Sequence, residues 1–348
     1  MNKLYSQLLD RPVFIMAAPR SGSTLLFETL IKSTSLHSTG DESHGLIETF
    51  PGLRPENRSP PSNFLDANDA TEPVKENISR AFATSLVDYL GQKSINPAEG
   101  DDLQPIRMIE KTPKNILRIP FFDELYPDAL FIYLYRDPLE NISSIIDGWH
   151  SGHFVTYPGL QVAAGPWSFL LPPGWEKKKN DPVEKLAAWQ WINAHEHAIK
   201  AFTKIGQKRI FCLNYDDFLA HSAKTVKQLC VFMDIPYDSG LAEHCSNPLP
   251  LSRYTLTEPQ KDKWKKNAAE LARVMEKTRP TIKKINQFAD MSSPLAEEWT
   301  LQSLKRMANG NKVESKPQAV SKGVSRNAAC PCGSGKKFKR CHGDLTAS

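Results

Sequence analysis

Four short apolar runs, separated by segments with helical periodicity, dominate the pattern of hydrophobic and polar positions along the chain. The runs occupy residues 13–18, 106–109, 129–135 and 209–213. Nearly unbroken apolar runs of this length are typical of parallel strands that are buried on both faces. Amphipathic segments predict helices at residues 24–31, 74–90, 139–149, 182–204 and 222–234. This alternation predicts an α/β fold, a three-layer sandwich with a central parallel sheet.

The longest predicted helix, residues 182–204, carries an apolar stripe that we expect to face the core. The stripe consists of Leu186, Trp189, Ile192, Ile199 and Phe202. A short helix is predicted at residues 46–50, and Pro113 is expected to open another, since proline is well tolerated in a first helical turn. Residues 51–73 carry five prolines, which predicts a long irregular connection.

The turn between the first strand and the first helix has the composition of an anion-binding loop. Its glycine, Gly22, can take a left-handed or crowded backbone conformation. The free N–H groups of residues 21–24 are expected to point outward at the positive end of the helix. Further donors are the side chains of Arg20, Ser21, Ser23 and Thr24. The sequence therefore predicts an anion cradle here.

The same turn does not match the loop that binds nucleoside triphosphates with magnesium. That loop requires G-x-x-x-x-G-K-[ST], and here Ala17 replaces the first glycine and Ser23 the lysine. Basic residues also stand at the ends of the second and third strands, at Lys111 and Arg136. Because parallel strands present their carboxyl ends at one edge of the sheet, we expect these residues and Arg20 to face one ligand crevice.

Two motifs resemble the sulfotransferases that use 3′-phosphoadenylyl sulfate (PAPS). P-R-S-G-S-T-L-L resembles their 5′-phosphosulfate loop, which places Arg20 and residues 21–24 around that group. Y-R-D-P-x-x-x-x-x-S resembles their 3′-phosphate site, which implies that Arg136 and Ser144 bind this phosphate. Without the resemblance, the second motif would be an arginine–aspartate surface turn followed by a serine on a helix face.

Two later segments extend the resemblance. Residues 214–218 (NYDDF) follow a predicted strand and look like the family's Y-E-D-L segment, which makes Tyr215 a nucleotide contact. Residues 248–264 resemble the late loop that closes over the nucleotide, and this implies that Ser252 and Lys263 reach it. The resemblance spans about residues 10–300.

The resemblance also identifies catalytic residues. Cytosolic small-molecule sulfotransferases place a histidine base two residues after the lysine of a K-x-H segment, where this chain has Pro113. Residues 40–43 (GDES) resemble instead the G-E-E-T segment of tyrosylprotein sulfotransferases, which implies that Glu42 is the base. Lys111 and Arg20 would then stabilise charge on the transferring group. His44 is the competing base, and helix capping is the non-catalytic alternative for the acidic residues of this loop.

Charge is unevenly distributed along the chain. The net charge is +5, yet residues 305–348 alone hold ten Lys/Arg against two acidic residues. The composition from residue 306 onward predicts a flexible linker at 306–325. A basic tail of this kind is either a solvated, solubilising segment or one that is attracted to RNA, the ribosome or an acidic protein.

The end of the chain carries a cluster of candidate metal ligands. Cys330, Cys332, Cys341 and His342 form C-x-C-x8-C-H, which offers three thiolates and an imidazole, as a closed structural zinc site requires. The segment resembles the SEC-C module, known from the tail of the preprotein translocase ATPase. The other cysteines are scattered and are expected to be reduced.

The sequence thus predicts three units: a sulfotransferase domain at residues 1–305 with a P-loop-type sandwich, the linker at 306–325, and a zinc-stapled module at 326–348. The expected reaction is sulfuryl transfer from PAPS to an acceptor, most simply a hydroxyl. The rivals are a P-loop kinase or NTPase and a non-catalytic nucleotide-binding adaptor that acts through its tail. No stretch approaches the ~18 apolar residues of a membrane span, so we expect a cytoplasmic protein without one.

Overall fold

The computed structural model describes residues 5–95, 104–258, 260, 262–289, 294–296 and 304. Within them the strands are β1 (Val13–Ala17), β2 (Ile109–Lys111), β3 (Leu130–Tyr135), β4 (Val155–Val162), β5 (Gly165–Ser168) and β6 (Ile210–Asn214). The helices of the described residues are α1 (Ser23–Leu30), α2 (His44–Ile47), α3 (Glu72–Ser85), α4 (Ile119–Leu125), α5 (Pro138–Ser151), α6 (Val183–Phe202), α7 (Tyr215–Ala220), α8 (Ser222–Met233), α9 (Ser239–Cys245), α10 (Ala268–Ala272) and α11 (Arg279–Ala289).

Strands β1, β2, β3 and β6 form the central sheet in the order β2-β1-β3-β6, and all neighbours run parallel. The register places Val13 beside both Ile109 and Leu130. Strand β2 lies on one side of β1 and β3 lies on the other, so the order in which strands are added to the sheet reverses at β1. Such a reversal opens a crevice at the carboxyl ends of the strands, where α/β sheets bind ligands.

Successive side chains of the central strands point to opposite faces of the sheet and pack into two separate cores. From β1, Phe14 and Met16 enter a core that is completed mainly by α3, α4, α5, α6 and α11. Val13 and Ile15 point the opposite way, into a core shared with α1, α8 and α9. Because apolar side chains leave both faces of the sheet, helices cover both faces. The predicted α/β sandwich with a central parallel sheet is confirmed.

Several element boundaries differ from the predictions. The helix predicted at residues 74–90 ends at Ser85, because the chain turns extended at Leu86 and Val87 then pairs with Ser38 and Lys93. The second strand is three residues long and ends on Lys111, later than predicted. The short helix predicted at residues 46–50 begins earlier, in α2.

Two further differences concern local pattern. Pro113 opens a 3-10 helix, Pro113–Leu117, and the α-helical turn follows it in α4. In α6, Trp191 is buried while Trp189 is only partly so, which means that the predicted stripe is rotated relative to the real one. Small residues on the buried face explain the error: alanines carry little hydrophobic signal, although they pack closely in a core.

A hairpin of β4 and β5 follows α5 and was not predicted from the sequence. Its pairing is irregular, and its outer positions are exposed, so it lacks a clean alternation of apolar and polar residues. No helix among the described residues is both long and apolar enough to cross a membrane. The predicted linker at 306–325 and the predicted zinc module at 326–348 lie outside the described residues.

Candidate functional site

The carboxyl ends of the central strands open into a cavity of about 930 Å³. Its lining draws on the turn after β1, α1, α5, the hairpin, α7 and the late loop. The residues predicted from the sequence that line it are Arg20, Gly22, Ser23, Thr24, Glu42, His44, Arg136, Ser144, Tyr215, Ser252 and Lys263. The structure therefore brings together, around one space, segments that are more than 200 residues apart.

The turn after β1 has the strained backbone that was expected of an anion cradle. Gly22 lies in the left-handed region with φ 89°, and Arg20 does so too with φ 64°. A Cβ on Gly22 would lie 2.0 Å from Cε2 of Tyr215, so no larger residue fits without displacing this ring. Ser23 begins α1, which leaves the first N–H groups of the helix facing the cavity. Tyr215 thus covers one side of the turn.

One predicted donor of this turn, the Ser21 hydroxyl, does not face the cavity. Ser21 is fully buried, and its hydroxyl lies 2.7 Å from the carbonyl of Ala18 and 3.0 Å from Oδ1 of Asn141. Its side chain is therefore not available to an anion, and only its N–H remains for that purpose. Asn141, which the sequence analysis missed, also donates to the carbonyl of Pro19 at 2.8 Å. It ties the turn to α5.

Arg20 lines the cavity and is held by several contacts. Its guanidinium donates to Oγ of Ser144 at 3.3 Å and to the carbonyl of Tyr254 at 2.9 Å. The ring of Phe154 lies 4.5 Å from its Cζ, a cation–π contact. Burial, followed by the nearby Arg136 charge, lowers the pKa of Arg20 to about 10. Arg20 is still a cation at pH 7 and can hold an anionic ligand.

Arg136 stands beside Arg20, as the strand pattern predicted. Its Nη1 donates to the carbonyl of Arg20 at 3.3 Å, and Nη2 lies 3.5 Å from the carboxylate of Glu140. The ring of Tyr215 lies 5.0 Å from its Cζ. Its Nε is buried and has no hydrogen-bond partner within the described chain. Burial together with neighbouring acids raises the pKa of Glu140, and the 3.5 Å separation from Nη2 is longer than a normal charge-assisted hydrogen bond.

Glu42 and Lys111, two of the predicted catalytic residues, contact each other directly. Nζ of Lys111 lies 2.8 Å from Oε1 of Glu42. The Lys111 side chain is only 2% exposed and lies behind Glu42, so it does not line the cavity, contrary to the prediction from the strand pattern. Glu42 is 24% exposed and does line it. The pair is therefore a carboxylate that can reach a ligand, backed by a buried ammonium group.

His44 adjoins the same pair. Its Nδ1 lies 3.7 Å from Oε2 of Glu42, which is too long for a hydrogen bond. Burial, and then the nearby Lys114 charge, lower the pKa of His44 from 6.5. His44 is therefore largely neutral at pH 7 and can accept a proton. Both candidate bases line the cavity, so the alternative stays open.

A buried carboxylate that the sequence analysis missed holds the Glu42 loop in place. Glu110 accepts hydrogen bonds from Ser43 at 2.7 Å, Thr112 at 2.5 Å and Asn115 at 3.0 Å. Burial raises its pKa. Thr112 also accepts from the N–H of Ser43 at 2.8 Å. The signal that could have revealed this network is the charged Glu-Lys pair that directly follows the run of residues 106–109.

A second cluster beyond His44 was also missed. Glu48 accepts from Arg118 at 2.7 Å and, more weakly, from Lys114 at 3.4 Å. These cations lower the pKa of Glu48 despite its burial, which alone would raise the pKa. Lys114 lies 4.7 Å above the ring of Tyr157 in the hairpin. Glu48 and Lys114 both line the cavity, so this end of it is polar and charged.

The late-loop residues reach the cavity but are held by their own segment. Oγ of Ser252 lies 3.0 Å from the hydroxyl of Thr255. Lys263 donates to the hydroxyl and carbonyl of Thr257 and to the carbonyl of Glu258. Burial, and then the neighbouring Lys266 charge, lower the pKa of Lys263. Both side chains therefore have to exchange local partners to bind a ligand.

The four predicted zinc ligands, Cys330, Cys332, Cys341 and His342, lie outside the described residues. Within the part of the chain that the structure covers, no cluster of three or more His, Cys, Asp or Glu side chains is suited to hold a metal ion.

Comparison with known proteins gives two kinds of relative. Protein-tyrosine sulfotransferase of Drosophila melanogaster is 22% identical over 264 residues, covering 74% of this chain and 46% of that protein. The chain thus spans about half the length of this relative. The crystal structure of sulfotransferase STF9 from Mycobacterium avium superposes with a TM-score of 0.46 at 15% identity, covering 83% of this chain and 79% of that one.

The tail matches a different protein. Protein translocase subunit SecA of Parabacteroides distasonis is 43% identical over 54 residues, or 16% of this chain and 5% of SecA. The SEC-C motif matches residues 326–344, which confirms the predicted motif. The model of the Sulfotransferase family matches residues 12–239. This match covers more than half of the chain and includes every strand of the central sheet, and the chain therefore belongs to the Sulfotransferase family.

Proposed function

We propose that this protein transfers a sulfuryl group from PAPS to a hydroxyl of an acceptor. The observation that carries the proposal is the common cavity, which is lined by Glu42, backed by the buried Lys111, and by Arg20 and Arg136. A base and a cluster of cations are the two things that this transfer requires of a protein.

In the proposed step, Glu42 accepts the proton of the acceptor hydroxyl while the hydroxyl oxygen attacks sulfur. A new oxygen–sulfur bond forms, the bond from sulfur to the 5′-phosphate oxygen breaks, and adenosine 3′,5′-bisphosphate leaves with the electron pair. Lys111, Arg20 and the N–H groups of residues 21–24 stabilise the charge on the transferring group and the departing oxygen. Arg136 and Ser144 hold the 3′-phosphate, and Tyr215, Ser252 and Lys263 complete the nucleotide side.

A kinase or NTPase is the rival reading of the same cavity. It is less well supported, because Ser23 stands where the loop for nucleoside triphosphates needs a lysine. Calorimetry separates the two: a sulfotransferase should bind adenosine 3′,5′-bisphosphate more tightly than Mg·ATP, whereas the reverse order would overturn the proposal. Incubating labelled PAPS and the protein with an extract of the source cells then identifies the acceptor.

Arg136→Ala is expected to weaken the binding of adenosine 3′,5′-bisphosphate by roughly 10- to 150-fold. A charge-assisted hydrogen bond is worth about 1.5–3 kcal/mol, and each 1.4 kcal/mol is a factor of ten. The matched control is Arg209→Ala, because Arg209 is also ion-paired, with Asp123 at 2.6 Å. Arg209 lies just before β6, at the amino-terminal ends of the strands and away from the cavity. Calorimetry measures both, and wild-type affinity in Arg136→Ala would refute the 3′-phosphate assignment.

We propose that the tail is a separate zinc module that binds a protein or the ribosome. The SEC-C match and the C-x-C-x8-C-H spacing support it. Metal analysis of the full chain, purified with zinc under reducing conditions, should give about one zinc per chain, and Cys332→Ser should lower this toward none. The same variant is expected to keep sulfuryl transfer. Zinc-free wild type would contradict the module, and lost transfer would contradict its independence.

The adaptor alternative predicts that the tail alone accounts for function, and pulldown with and without residues 305–348 tests it.

We also propose that the protein works in the cytoplasm. The support is chemical: the cysteines in the described part of the chain, Cys212, Cys230 and Cys245, are free thiols, as a reducing compartment favours.

A further inference from the structure

The dipeptide Arg253-Tyr254 in the late loop contacts both the cradle and the loop that carries Glu42. Nη1 of Arg20 donates to the carbonyl of Tyr254 at 2.9 Å. Arg253 donates to the carboxylate of Glu28 in α1 at 2.6 Å and to the carbonyl of Gly40 at 3.1 Å. One short segment is thus anchored to the cradle, to the helix behind it and to the loop that carries Glu42.

The side chain of Tyr254 adds two contacts on the acceptor side. Nζ of Lys111 lies 5.5 Å from the centre of its ring. Its hydroxyl donates to the carboxylate of Asp41, at 3.0 and 3.1 Å from the two oxygens. The N–H of Glu42 donates to the same carboxylate at 2.8 Å. Tyr254 therefore touches Lys111 directly and reaches Glu42 through Asp41.

These contacts restrain both members of the ion pair. The Lys111 ammonium has the Glu42 carboxylate as a hydrogen-bond partner and the ring face of Tyr254 as a second partner, and a cation is attracted to such a face within about 6 Å. Asp41 is restrained by the Tyr254 hydroxyl and in turn fixes the backbone of Glu42. A base has to be held within hydrogen-bond reach of the proton that it takes.

We propose that Tyr254 is a positioning residue, which holds the Lys111–Glu42 pair in its reactive arrangement and links this arrangement to the nucleotide cradle through Arg20. The inference rests on the proposed function and adds to it a residue that neither the sequence motifs nor the ion pair itself identified. The link to Arg20 uses the carbonyl of Tyr254, so substitution of the side chain leaves that contact in place. The effect of Tyr254 on the Lys111–Glu42 pair can therefore be tested separately from its link to Arg20.

The test compares Tyr254→Phe, which keeps the ring and removes the hydroxyl, with Tyr254→Leu, which removes both. We expect the affinity for adenosine 3′,5′-bisphosphate and the apparent KM for PAPS to stay within about twofold of wild type in both variants. Turnover with labelled PAPS and source-cell extract should fall about 3- to 30-fold in Tyr254→Leu, the range that corresponds to a cation–π contact of about 0.7–2 kcal/mol. Tyr254→Phe should keep most of the turnover that Tyr254→Leu loses.

A second readout needs neither PAPS nor an acceptor. Trace acetylation of the full chain, analysed by peptide mass spectrometry, should label Lys111 at least about threefold faster in Tyr254→Leu than in wild type or Tyr254→Phe, since the ring no longer covers the ammonium group. The matched control is Tyr237→Leu, because Lys227 lies 5.1 Å from the ring of Tyr237 outside the site. This variant should speed labelling of Lys227 only and leave turnover unchanged.

Each result decides the proposal. Wild-type turnover in Tyr254→Leu, or a loss of nucleotide affinity that accounts for the loss of turnover, would overturn it. If the wild-type protein neither binds adenosine 3′,5′-bisphosphate nor transfers sulfuryl, the proposed function fails, and the labelling of Lys111 still decides whether Tyr254 restrains the pair.

Discussion

Glu42→Gln is expected to slow sulfuryl transfer by ~10²–10⁴ while the affinity for adenosine 3′,5′-bisphosphate is kept, because the loss of a general base has this magnitude. Glutamine retains the shape of the side chain and an oxygen that can accept from Lys111, so the buried ammonium group keeps a partner. The measurement is turnover with labelled PAPS and source-cell extract, together with calorimetry of nucleotide binding.

His44→Gln is the matched variant, since its side chain lines the same cavity and lies next to Glu42. If Glu42 is the base, His44→Gln changes turnover far less than Glu42→Gln does. Near-normal turnover in Glu42→Gln combined with collapse in His44→Gln would transfer the role to the histidine. Thermal unfolding of both variants identifies any loss that comes from stability.

Lys111→Met is expected to lower turnover by about 10²–10³, the effect of removing one preorganised group that stabilises transition-state charge. Methionine nearly matches the length of the lysine stem and suits a side chain that is only 2% exposed. Glu42 is left without its ammonium partner but is partly exposed, so water can replace that partner. Lys111→Arg should not restore turnover fully, since the fork of arginine does not fit a site built for one ammonium group.

The double variant Glu42→Gln, Lys111→Met gives an independent check. Groups that act as a unit show non-additive losses, so the double variant should be little worse than the slower single variant. Losses that multiply would mean that the two side chains act separately. Each protein is assayed with the same labelled PAPS and extract.

The buried strands were the part of the fold that the sequence predicted best, because a run such as residues 129–135 is apolar on both faces and matches β3 almost residue for residue. Helix boundaries were harder where tertiary pairing overrides periodicity: Val87 leaves the helix pattern because it pairs with Ser38, a residue almost fifty positions away. The hairpin escaped prediction since its exposed, irregular strands carry no period-2 signal.

Within the site, residues in motifs with fixed spacing do line one cavity, among them Arg20, Arg136 and Glu42, whereas Lys111 is buried behind Glu42. The inward turn of Ser21 could not be predicted, because it depends on Asn141 from a distant helix. Tyr254 was missed for the same reason. Its role arises from contacts between segments far apart in the chain, and a local pattern does not record these contacts.

The bonds that Asn141 makes to the turn after β1 have a consequence for how the two sides of the cavity can change. They join the cradle to the helix that bears Ser144, so these two parts of the site behave as one preorganised body that loses little conformational entropy when a ligand binds. The opposite wall is assembled from loops and a hairpin that meet through side chains. Substitutions in that wall can therefore change its shape while the bonds of Asn141 keep the cradle in place.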